Sequence, residues 1–287
     1  MRLARFTNPT DGTTAPTRIG LVEGEVVHEL DIPDDMPALL AALPERPPTT
    51  GRTSRLVQVR LHAPVPHPPK YLAIGLNYRD HCEETGRPAP DFPMFFNKQT
   101  SCVIGPTDDV EIPAVSEMVD YEGELGVVIG RRCRNVRADD ALDVVAGYLV
   151  VNDVSVRDWQ MRSPTMTLGK SFDTHGPLGP WITTPEHVPD PHDLRIRTWV
   201  TSGGGEPELL QDTHTSQMIF SIAEQIETLT TCFTLEPGDV LATGTGAGVG
   251  IVRTPPRWLR PGDTCRVAID GLGELLNPVV AAVLPPA

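Results

Sequence analysis

Two acidic residues stand two positions apart at the start of an apolar run. Glu122 and Glu124 flank Gly123 and lead into Leu-Gly-Val-Val-Ile-Gly, so a strand would place both carboxylates on one face. Like charges in that position repel each other unless water or a cation lies between them. A solvated strand edge would show the same pattern, so the pair by itself leaves a metal site open.

A third carboxylate ends a second apolar run. Tyr148–Asn152 has the composition of a strand and leads directly into Asp153, and strand ends are common positions for functional groups. Three carboxylates without a histidine or cysteine ligand favour a hard cation, with Mg²⁺ first and Mn²⁺ or Ca²⁺ as substitutes, and they disfavour zinc. The sequence therefore predicts a divalent-metal site at Glu122, Glu124 and Asp153.

A histidine and a glutamate three residues apart form a second candidate group. His81 and Glu84 share one face of the predicted helix Tyr78–Thr85. A carboxylate beside an imidazole orients it and stabilises its protonated form, which is the arrangement that activates a water molecule. Lys170, between small residues, is suited to stabilising an enolate or oxyanion. Both residue types are also common on solvated surfaces.

Glycines alternate in the segment Thr243–Gly250. The segment lacks the Lys-Ser/Thr pair of a P-loop and does not satisfy G-x-G-x-x-G, so nucleotide binding is rejected. Its backbone N–H groups are instead suited to a concave anion site for a substrate carboxylate. Phe95, Phe96 and Lys98 are further candidates for a pocket wall, although a core role is the stronger expectation for the two aromatic residues.

The overall composition excludes several kinds of partner. The 287 residues are 39% hydrophobic and 22% charged, which is ordinary globular usage. A net charge of −14 without a Lys/Arg cluster argues against nucleic acid. No apolar run approaches the roughly 20 residues that span a bilayer, and the five cysteines form no C-x-x-C pair. We expect a cytoplasmic protein with free thiols that binds neither nucleic acid nor membranes.

The elements that must position these residues are mostly strands. A hairpin is predicted over residues 18–30, and the proline-rich segment 44–52 is predicted to be a linker. The pattern indicates a β-rich α+β fold, with a small N-terminal α+β domain at residues 1–65 and a larger domain at 66–287. The predicted strands are Tyr71–Gly75, Glu124–Ile129, Tyr148–Asn152, Leu194–Val200, Val240–Ala242 and Cys265–Ile269, and the predicted helices are Met36–Ala42, Tyr78–Thr85, Asp139–Ala146 and Ser216–Leu229.

Six motifs occur in the order typical of one enzyme family. They are Gly75-x-Asn-Tyr-x-x-His81-x-x-Glu84, Asp-Tyr-Glu122-x-Glu124-Leu, Asn-Asp153-x-Ser-x-Arg157-Asp-x-Gln160, Gly-Lys170-Ser-Phe-Asp-Thr174, Pro-Leu-Gly-Pro-Trp181 and Pro-Gly-Asp-Val-x-x-Thr-Gly-Thr245. Each motif is modest alone, but the ordered set resembles the fumarylacetoacetate hydrolase family. The chain is most similar to its bacterial acylpyruvate hydrolase-like and 2-hydroxyhepta-2,4-diene-1,7-dioate isomerase-like members, many of which have a small leading domain.

The resemblance implies a fold and a set of roles. The larger domain would be a mixed β-roll, usually in a homodimer, with Mg²⁺ or Mn²⁺ in the three-carboxylate site. His81 and Glu84 would form a water-activating dyad on a short lid helix, and Lys170 would stabilise the developing enolate. The substrate-binding set would be Arg157, Gln160, Thr174 and Thr245, with Thr174 behind the metal.

The expected reaction is metal-dependent hydrolysis of a C–C bond in an acylpyruvate-like or other β-dicarbonyl acid, through a metal-stabilised enolate. One alternative is a lyase on the same scaffold, which would decarboxylate an oxaloacetate-like 2-oxo acid or act as an isomerase or dehydratase. Another is a non-catalytic binding protein that keeps the fold. Two departures from the family pattern concern the substrate: Gly246 replaces a proline, which is expected to loosen its loop, and the hairpin at 201–211 has extra residues.

Overall fold

The computed structural model describes residues 1–12 and 15–283. In chain order, strands β1 to β19 are Arg2–Thr7, Arg18–Glu23, Val26–Leu30, Thr49–Arg55, Arg60–His62, Tyr71–Gly75, Met94–Lys98, Val103–Ile104, Val110–Ile112, Val119–Asp120, Gly123–Ile129, Val145–Asn152, Ser155–Val156, Gly176–Thr183, Arg195–Ser202, Glu208–His214, Val240–Thr245, Asp263–Ile269 and Gly273–Ala281. Helices α1 to α4 are Met36–Ala41, Arg79–Thr85, Arg157–Gln160 and Ile222–Cys232. Short 3₁₀ turns lie at Pro9–Asp11, Leu56–Gln58, Thr100–Cys102, Ala138–Val144, Pro185–His187, Thr215–Gln217 and Gly250–Val252.

One large sheet organises the chain. Its strands run in the order β4-β3-β2-β1-β14-β12-β11-β17-β6-β7, with β5 beside β1 and β8 beside β14. A five-stranded sheet has the order β16-β15-β18-β19-β9, and β10 pairs with β13. This strand-rich architecture with few helices confirms the predicted β-rich α+β class. Among the described residues, no helix is long and apolar enough to cross a membrane.

Both faces of the central strands are buried, which explains their nearly continuous apolar sequences. On one face, Leu125 and Val127 belong to a core cluster shared with the five-stranded sheet and α4. On the other face, Val128 and Val151 pack in a cluster that includes Leu39 of α1. Burial of each such aliphatic side chain stabilises the fold by about 1.5–3 kcal/mol. The central strands are therefore held rigidly from both sides.

Strand direction brings several element ends to one edge of the large sheet. β11 is antiparallel to both of its neighbours, with Gly123 opposite Asn152 and Glu124 opposite Thr245. The start of β11 consequently lies beside the ends of β12 and β17. β6 runs parallel to β17 and ends at the same edge, where the chain enters α2. Residues from four distant parts of the sequence meet there.

Several predicted elements are confirmed. β6 has the predicted bounds, and the hairpin over residues 18–30 forms as β2 and β3. Helix α2 ends at Gly86, whose φ of +66° is the left-handed conformation expected of a C-terminal glycine. The turns before β17 and β18 also contain left-handed glycines, at Gly238 and Gly262.

The predicted helix at Asp139–Ala146 is wrong. Residues Ala138–Val144 form a 3₁₀ segment, and β12 already begins at Val145. Gly147, predicted to end the helix, lies within the strand, where a Cβ atom would come 2.4 Å from the carbonyl oxygen of Thr183. Pairing with the neighbouring strands has overridden the local helical pattern.

Two other element boundaries differ from the prediction. Helix α4 begins at Ile222 instead of near residue 216, because Ser221 and Glu224 form a reciprocal capping box at its start. Part of the predicted linker is a strand, since β4 pairs with β3. β1 also pairs with β14, so the first 65 residues add strands to the large sheet; the domain boundary near residue 65 stays a prediction.

Candidate active site and metal centre

The three predicted metal ligands come together at the shared sheet edge. Glu122 precedes β11, Glu124 lies within it, and Asp153 follows β12. One carboxylate oxygen from each residue lies within 4.8 Å of the others, and all three residues are buried. The backbone N–H of Asp153 donates to the carbonyl of Glu122 at 2.9 Å, which fixes the two strand ends against each other.

Two cationic side chains neutralise part of this cluster. The Lys170 Nζ atom donates to Glu122 Oε2 at 2.5 Å and to Asp153 Oδ2 at 2.7 Å. Arg157 lies 2.7 Å from the other oxygen of Glu122 and 2.8 Å from Asp120. Arg157 is thus tied to protein carboxylates, although it also faces the cavity.

A second buried lysine was not assigned to the metal site from the sequence. The Lys98 Nζ atom donates to Asp153 Oδ1 at 2.6 Å and also to the carbonyl oxygen of Lys170. Its side chain has no exposed surface. Lys98 therefore holds both a predicted ligand and the chain segment that carries the neighbouring lysine. Its position 55 residues before Asp153 explains why no local spacing signalled this contact.

The carboxylates of the cluster are not equivalent. Burial opposes ionisation of Glu122, but Lys170 and Arg157 outweigh it and lower its pKa to about 2. Burial and the nearby charges of Asp153 and Glu122 raise the pKa of Glu124 well above its usual value. Burial also opposes protonation of Lys170, but Asp153 and Glu122 outweigh it, so its pKa is raised and it remains a cation.

The residues present fit a hard divalent cation. Within the part of the chain that the structure describes, Glu124 has no cationic partner, and its Oε2 accepts only the backbone N–H of Gly244 at 2.8 Å. A buried carboxylate without a positive partner is costly, and a cation beside it would remove that cost. The donor set is all oxygen, as Mg²⁺ and Mn²⁺ prefer.

The predicted histidine–glutamate pair forms on α2. His81 Nδ1 lies 2.7 Å from Glu84 Oε1. The other oxygen of Glu84 accepts the backbone N–H of Gly248 at 2.7 Å, which ties the helix to the glycine-rich loop. Asp80, on the same helix, accepts a hydrogen bond from the Thr213 hydroxyl at 2.6 Å. The helix is thus held over the site by side-chain contacts at several points.

Several backbone donors of the glycine-rich loop are already bound by protein carboxylates. Three of its backbone N–H groups donate to protein carboxylates: Gly244 to Glu124, Gly248 to Glu84, and Gly250 to Asp120. These three donors position the protein's own acids and are not available to a substrate carboxylate, so a nest elsewhere in the loop stays a prediction. Gly248, at φ +106°, has no room for a side chain, since a Cβ atom would come 2.1 Å from the Leu210 carbonyl oxygen.

The two departures from the family pattern have structural explanations. At Gly246, a Cβ atom would lie 2.2 Å from Thr213 Oγ1, so the threonine fills the space that a larger residue would need. The Gln211 amide donates to the Thr245 hydroxyl at 2.8 Å and to the Gly246 carbonyl at 3.1 Å, so two side-chain hydrogen bonds hold the loop at the position of the missing proline. The extra hairpin residues form the exposed turn between β15 and β16, which does not line the cavity.

One cavity of about 410 Å³ joins these groups. Its volume is within the roughly 300–1,000 Å³ typical of small-molecule sites. Of the predicted site residues, nine meet at this edge: Glu122, Glu124, His81, Glu84, Lys170, Arg157, Gln160 and Thr245 line the cavity, and Asp153 lies beside Glu122 and Lys170. The apolar part of its wall includes Ile74, Met94, Phe96, Met161, Met166, Ile251 and Val252.

Thr174 is not brought to this cavity. Its hydroxyl oxygen accepts the backbone N–H of Glu111 at 2.9 Å, and its φ of +69° is left-handed. Phe95 and Lys98 also lie outside the cavity lining, whereas Phe96 contributes to its wall.

Comparisons with known proteins agree with this architecture. Residues 70–280 match the family model described as fumarylacetoacetate (FAA) hydrolase C-terminal, and residues 1–64 match the model described as Rv2993c-like, N-terminal. Oxaloacetate tautomerase fahd2, mitochondrial, of Xenopus laevis is 46% identical over 224 residues, which are 77% of this chain and 69% of the relative.

Solved structures extend the similarity to nearly the full chain. A 2-hydroxyhepta-2,4-diene-1,7-dioate isomerase from Mycobacterium marinum is 36% identical, with a TM-score of 0.80 and coverage of 99% of this chain and 100% of that one. A fumarylacetoacetate hydrolase from psychrophilic Exiguobacterium antarcticum is 34% identical, with a TM-score of 0.86 and coverage of 98% and 100%.

Proposed function

The chain belongs to the fumarylacetoacetate hydrolase family, and we propose that it is a divalent-metal-dependent enzyme that cleaves a C–C bond in an acylpyruvate-like or other β-dicarbonyl acid by hydrolysis. The observation that carries this proposal is the meeting of two groups in one cavity. Glu122, Glu124 and Lys170 line this cavity, and His81 and Glu84, which lie 2.7 Å apart, line it as well. Neither group alone would distinguish this chemistry from simple metal binding.

Glu122, Glu124 and Asp153 would hold the cation. When bound, Mg²⁺ or Mn²⁺ would act as a Lewis acid on the oxygens of a 2-oxo acid. Lys170, which is kept protonated by its neighbours, would stabilise the negative charge that develops on the substrate's enolate oxygen. Arg157, Gln160 and Thr245 would orient the substrate.

The His81–Glu84 pair would supply the water. Glu84 accepts from the imidazole at 2.7 Å and from Gly248, so the ring is held in one orientation. His81 would take a proton from water as the oxygen attacks the carbonyl carbon next to the bond that breaks, and Glu84 would stabilise the resulting imidazolium. The bonding pair of the broken C–C bond would become the enolate, which is later protonated on carbon.

A second candidate function is tautomerisation or isomerisation of a 2-oxo dicarboxylic acid. It is favoured by the names of two relatives, an oxaloacetate tautomerase and a 2-hydroxyhepta-2,4-diene-1,7-dioate isomerase. The same cavity would then move a proton between carbon and oxygen through the enolate without attack by water. Decarboxylation of an oxaloacetate-like acid is a third outcome of the same charge stabilisation.

The test is to follow three reactions of the Mn²⁺-supplied enzyme in parallel. They are cleavage of acetylpyruvate, keto–enol conversion of oxaloacetate and release of CO₂ from oxaloacetate. We expect cleavage of acetylpyruvate, and we expect His81→Ala to reduce it by about 10²–10⁴-fold because a general base is lost. Rapid keto–enol conversion without cleavage would replace the hydrolase by the tautomerase. A lack of turnover together with intact metal binding would favour a non-catalytic binding protein.

Two further properties are proposed: a homodimer, on the family resemblance alone, and a cytoplasmic location, on the cysteine usage of the sequence. Sedimentation velocity of the full chain would test the first, with a single species of twice the chain mass as the expected result. Microscopy of a fluorescent fusion would test the second, with a diffuse cellular signal expected.

A further inference from the structure

Arg87 lies at the edge of the active-site cavity, just after the helix that carries His81 and Glu84. Gly86 ends this helix, and the backbone N–H of Arg87 donates to the Cys82 carbonyl at 3.0 Å. Pro88 follows and restricts Arg87 to an extended backbone. The residue is exposed and lines the same cavity as the predicted catalytic groups.

Arg87 differs from the other cationic residues of this cavity. Lys170 is bound to Glu122 and Asp153, and His81 is bound to Glu84. Arg157 is likewise bound to protein carboxylates. Within the described part of the chain, the Arg87 guanidinium makes no hydrogen bond and no ion pair. Arg87 is therefore the cationic lining residue whose charge is not already paired with a protein carboxylate among the described residues.

Part of the cavity wall is apolar. This part of the wall includes Ile74, Met94, Met166 and Val252, and it is therefore suited to contact with the carbon chain of a substrate. The chain as a whole carries a net charge of −14, which repels anions at long range. An unpaired guanidinium at the cavity edge would offset that repulsion locally, and its planar fork matches the two oxygens of a carboxylate.

We infer that Arg87 binds the terminal carboxylate of a 2-oxo dicarboxylic acid whose 2-oxo end lies at the three-carboxylate site. This inference rests on the proposed function for the position of the 2-oxo end. It narrows the substrate class from 2-oxo acids in general to those that end in a second carboxylate. Arg87 is on this account a residue that determines specificity, and the chemistry remains with His81, Glu84 and Lys170.

The experiment measures binding by calorimetry with the Mn²⁺-supplied chain, so it does not depend on turnover. The ligands are pairs of saturated 2-oxo acids with equal carbon number, one ending in a methyl group and the other in a carboxylate. The variants are Arg87→Met and Arg87→Lys. Arg52→Met is the matched control, because it removes the same charge from a side chain that is 74% exposed outside the cavity.

We expect the unmodified chain and Arg52→Met to bind at least one dicarboxylate about fivefold or more tightly than its methyl-ended partner, as a bidentate charged hydrogen bond allows. Arg87→Met should reduce this preference to within about twofold and leave the affinity for methyl-ended acids unchanged, and Arg87→Lys should retain part of it. The preference should also fall with added salt.

The outcomes separate this inference from the proposed function. Equal binding of both members of every pair, or a preference that persists in Arg87→Met, would overturn the inference while leaving the proposed reaction intact. A preference that Arg87→Met abolishes would support the inference even if no acid were cleaved. Failure of every acid to bind would count against both.

Discussion

The active-site cavity has two parts that are built differently. The floor consists of Glu122, Glu124, Asp153 and Lys170 and is formed by buried strand ends linked by short ion pairs. The rim consists of helix α2 and the Thr243–Gly250 loop, which are joined by single hydrogen bonds such as Glu84 to Gly248. The floor has few exposed atoms, whereas the rim borders solvent.

The floor and the rim have different roles. The floor is positioned by strands whose two faces are both packed in the core, so its geometry is costly to change. The rim contains the proposed water-activating pair and Arg87, on elements that can vary at lower cost. We therefore expect floor substitutions to abolish all activity and rim substitutions to change rate and substrate preference.

The largest effect should come from comparing two glutamates of the floor. Glu124→Gln should reduce metal-dependent turnover by at least about 1,000-fold, because the cation supplies several kcal/mol of stabilisation. In the absence of metal, the free energy of unfolding of this variant should be within about 0.5 kcal/mol of that of the unmodified chain, or higher. The reason is that Glu124 has no cationic partner and that its raised pKa already favours the neutral form.

Glu122→Gln is the matched variant. It should likewise reduce metal-dependent turnover. Unlike Glu124→Gln, it leaves Lys170 and Arg157 with one fewer partner and should reduce the free energy of unfolding by about 3 kcal/mol. Urea denaturation with excess chelator measures both values. Equal destabilisation by the two variants would contradict the unequal roles assigned to these carboxylates.

Lys98 tests whether the floor depends on residues that do not face the cavity. Lys98→Met should weaken Mn²⁺ binding by about 10- to 100-fold, because Lys98 positions Asp153 from behind. Lys70→Met is its control. Lys70 forms an ion pair with the buried Asp239, at a distance of 2.9 Å between Nζ and Oδ2, and neither residue belongs to the site. Both variants should lose stability. If Lys98→Met bound Mn²⁺ as tightly as Lys70→Met, Lys98 would have only a structural role.

The pH dependence of metal affinity tests the floor without a substitution. Burial and the charges of Asp153 and Glu122 raise the pKa of Glu124, so a cation must displace a proton from it. Affinity should therefore rise by up to about tenfold per pH unit above pH 4.5 and become constant once the pH exceeds the raised pKa. Calorimetry in buffers of different ionisation enthalpy should detect proton release; a pH-independent affinity would contradict the raised pKa.

The smallest effect is expected at the rim. Thr213→Val removes the hydrogen bond to Asp80 that helps hold α2, at a cost of about 0.5–1.5 kcal/mol. We expect kcat/KM to fall by about two- to tenfold, with Mn²⁺ affinity unchanged. A loss of metal affinity in this variant would show that floor and rim are not independent.

The sequence predicted the floor better than the rim, for physical reasons. Glu122 and Glu124 could be predicted from their two-residue spacing before an apolar strand, and Asp153 from its position at the end of another strand. Those signals are local, and the buried strands preserve them. Two contacts that no spacing reveals are that of Lys98 with Asp153, beneath the floor, and that of Glu84 with Gly248, in the rim; they join residues 55 and 164 positions apart.

Tertiary contacts changed the outcome of two local patterns. The segment Asp139–Ala146 has a helical pattern, but strand pairing extends it from Val145 onwards. The glycine-rich loop has the donors of an anion nest, but Glu84, Glu124 and Asp120 already accept hydrogen bonds from three of them. In both cases the local sequence is compatible with the predicted feature, and tertiary contacts determine the structure that forms.

The most direct test of the central claim is removal and return of the cation. The chain is treated with excess chelator, dialysed and titrated with Mn²⁺, while cleavage of acetylpyruvate and conversion of oxaloacetate are followed. We predict that chelation abolishes turnover and that activity returns in proportion to one Mn²⁺ bound per chain, with no return in Glu124→Gln. Undiminished turnover in the chelated protein would contradict the account.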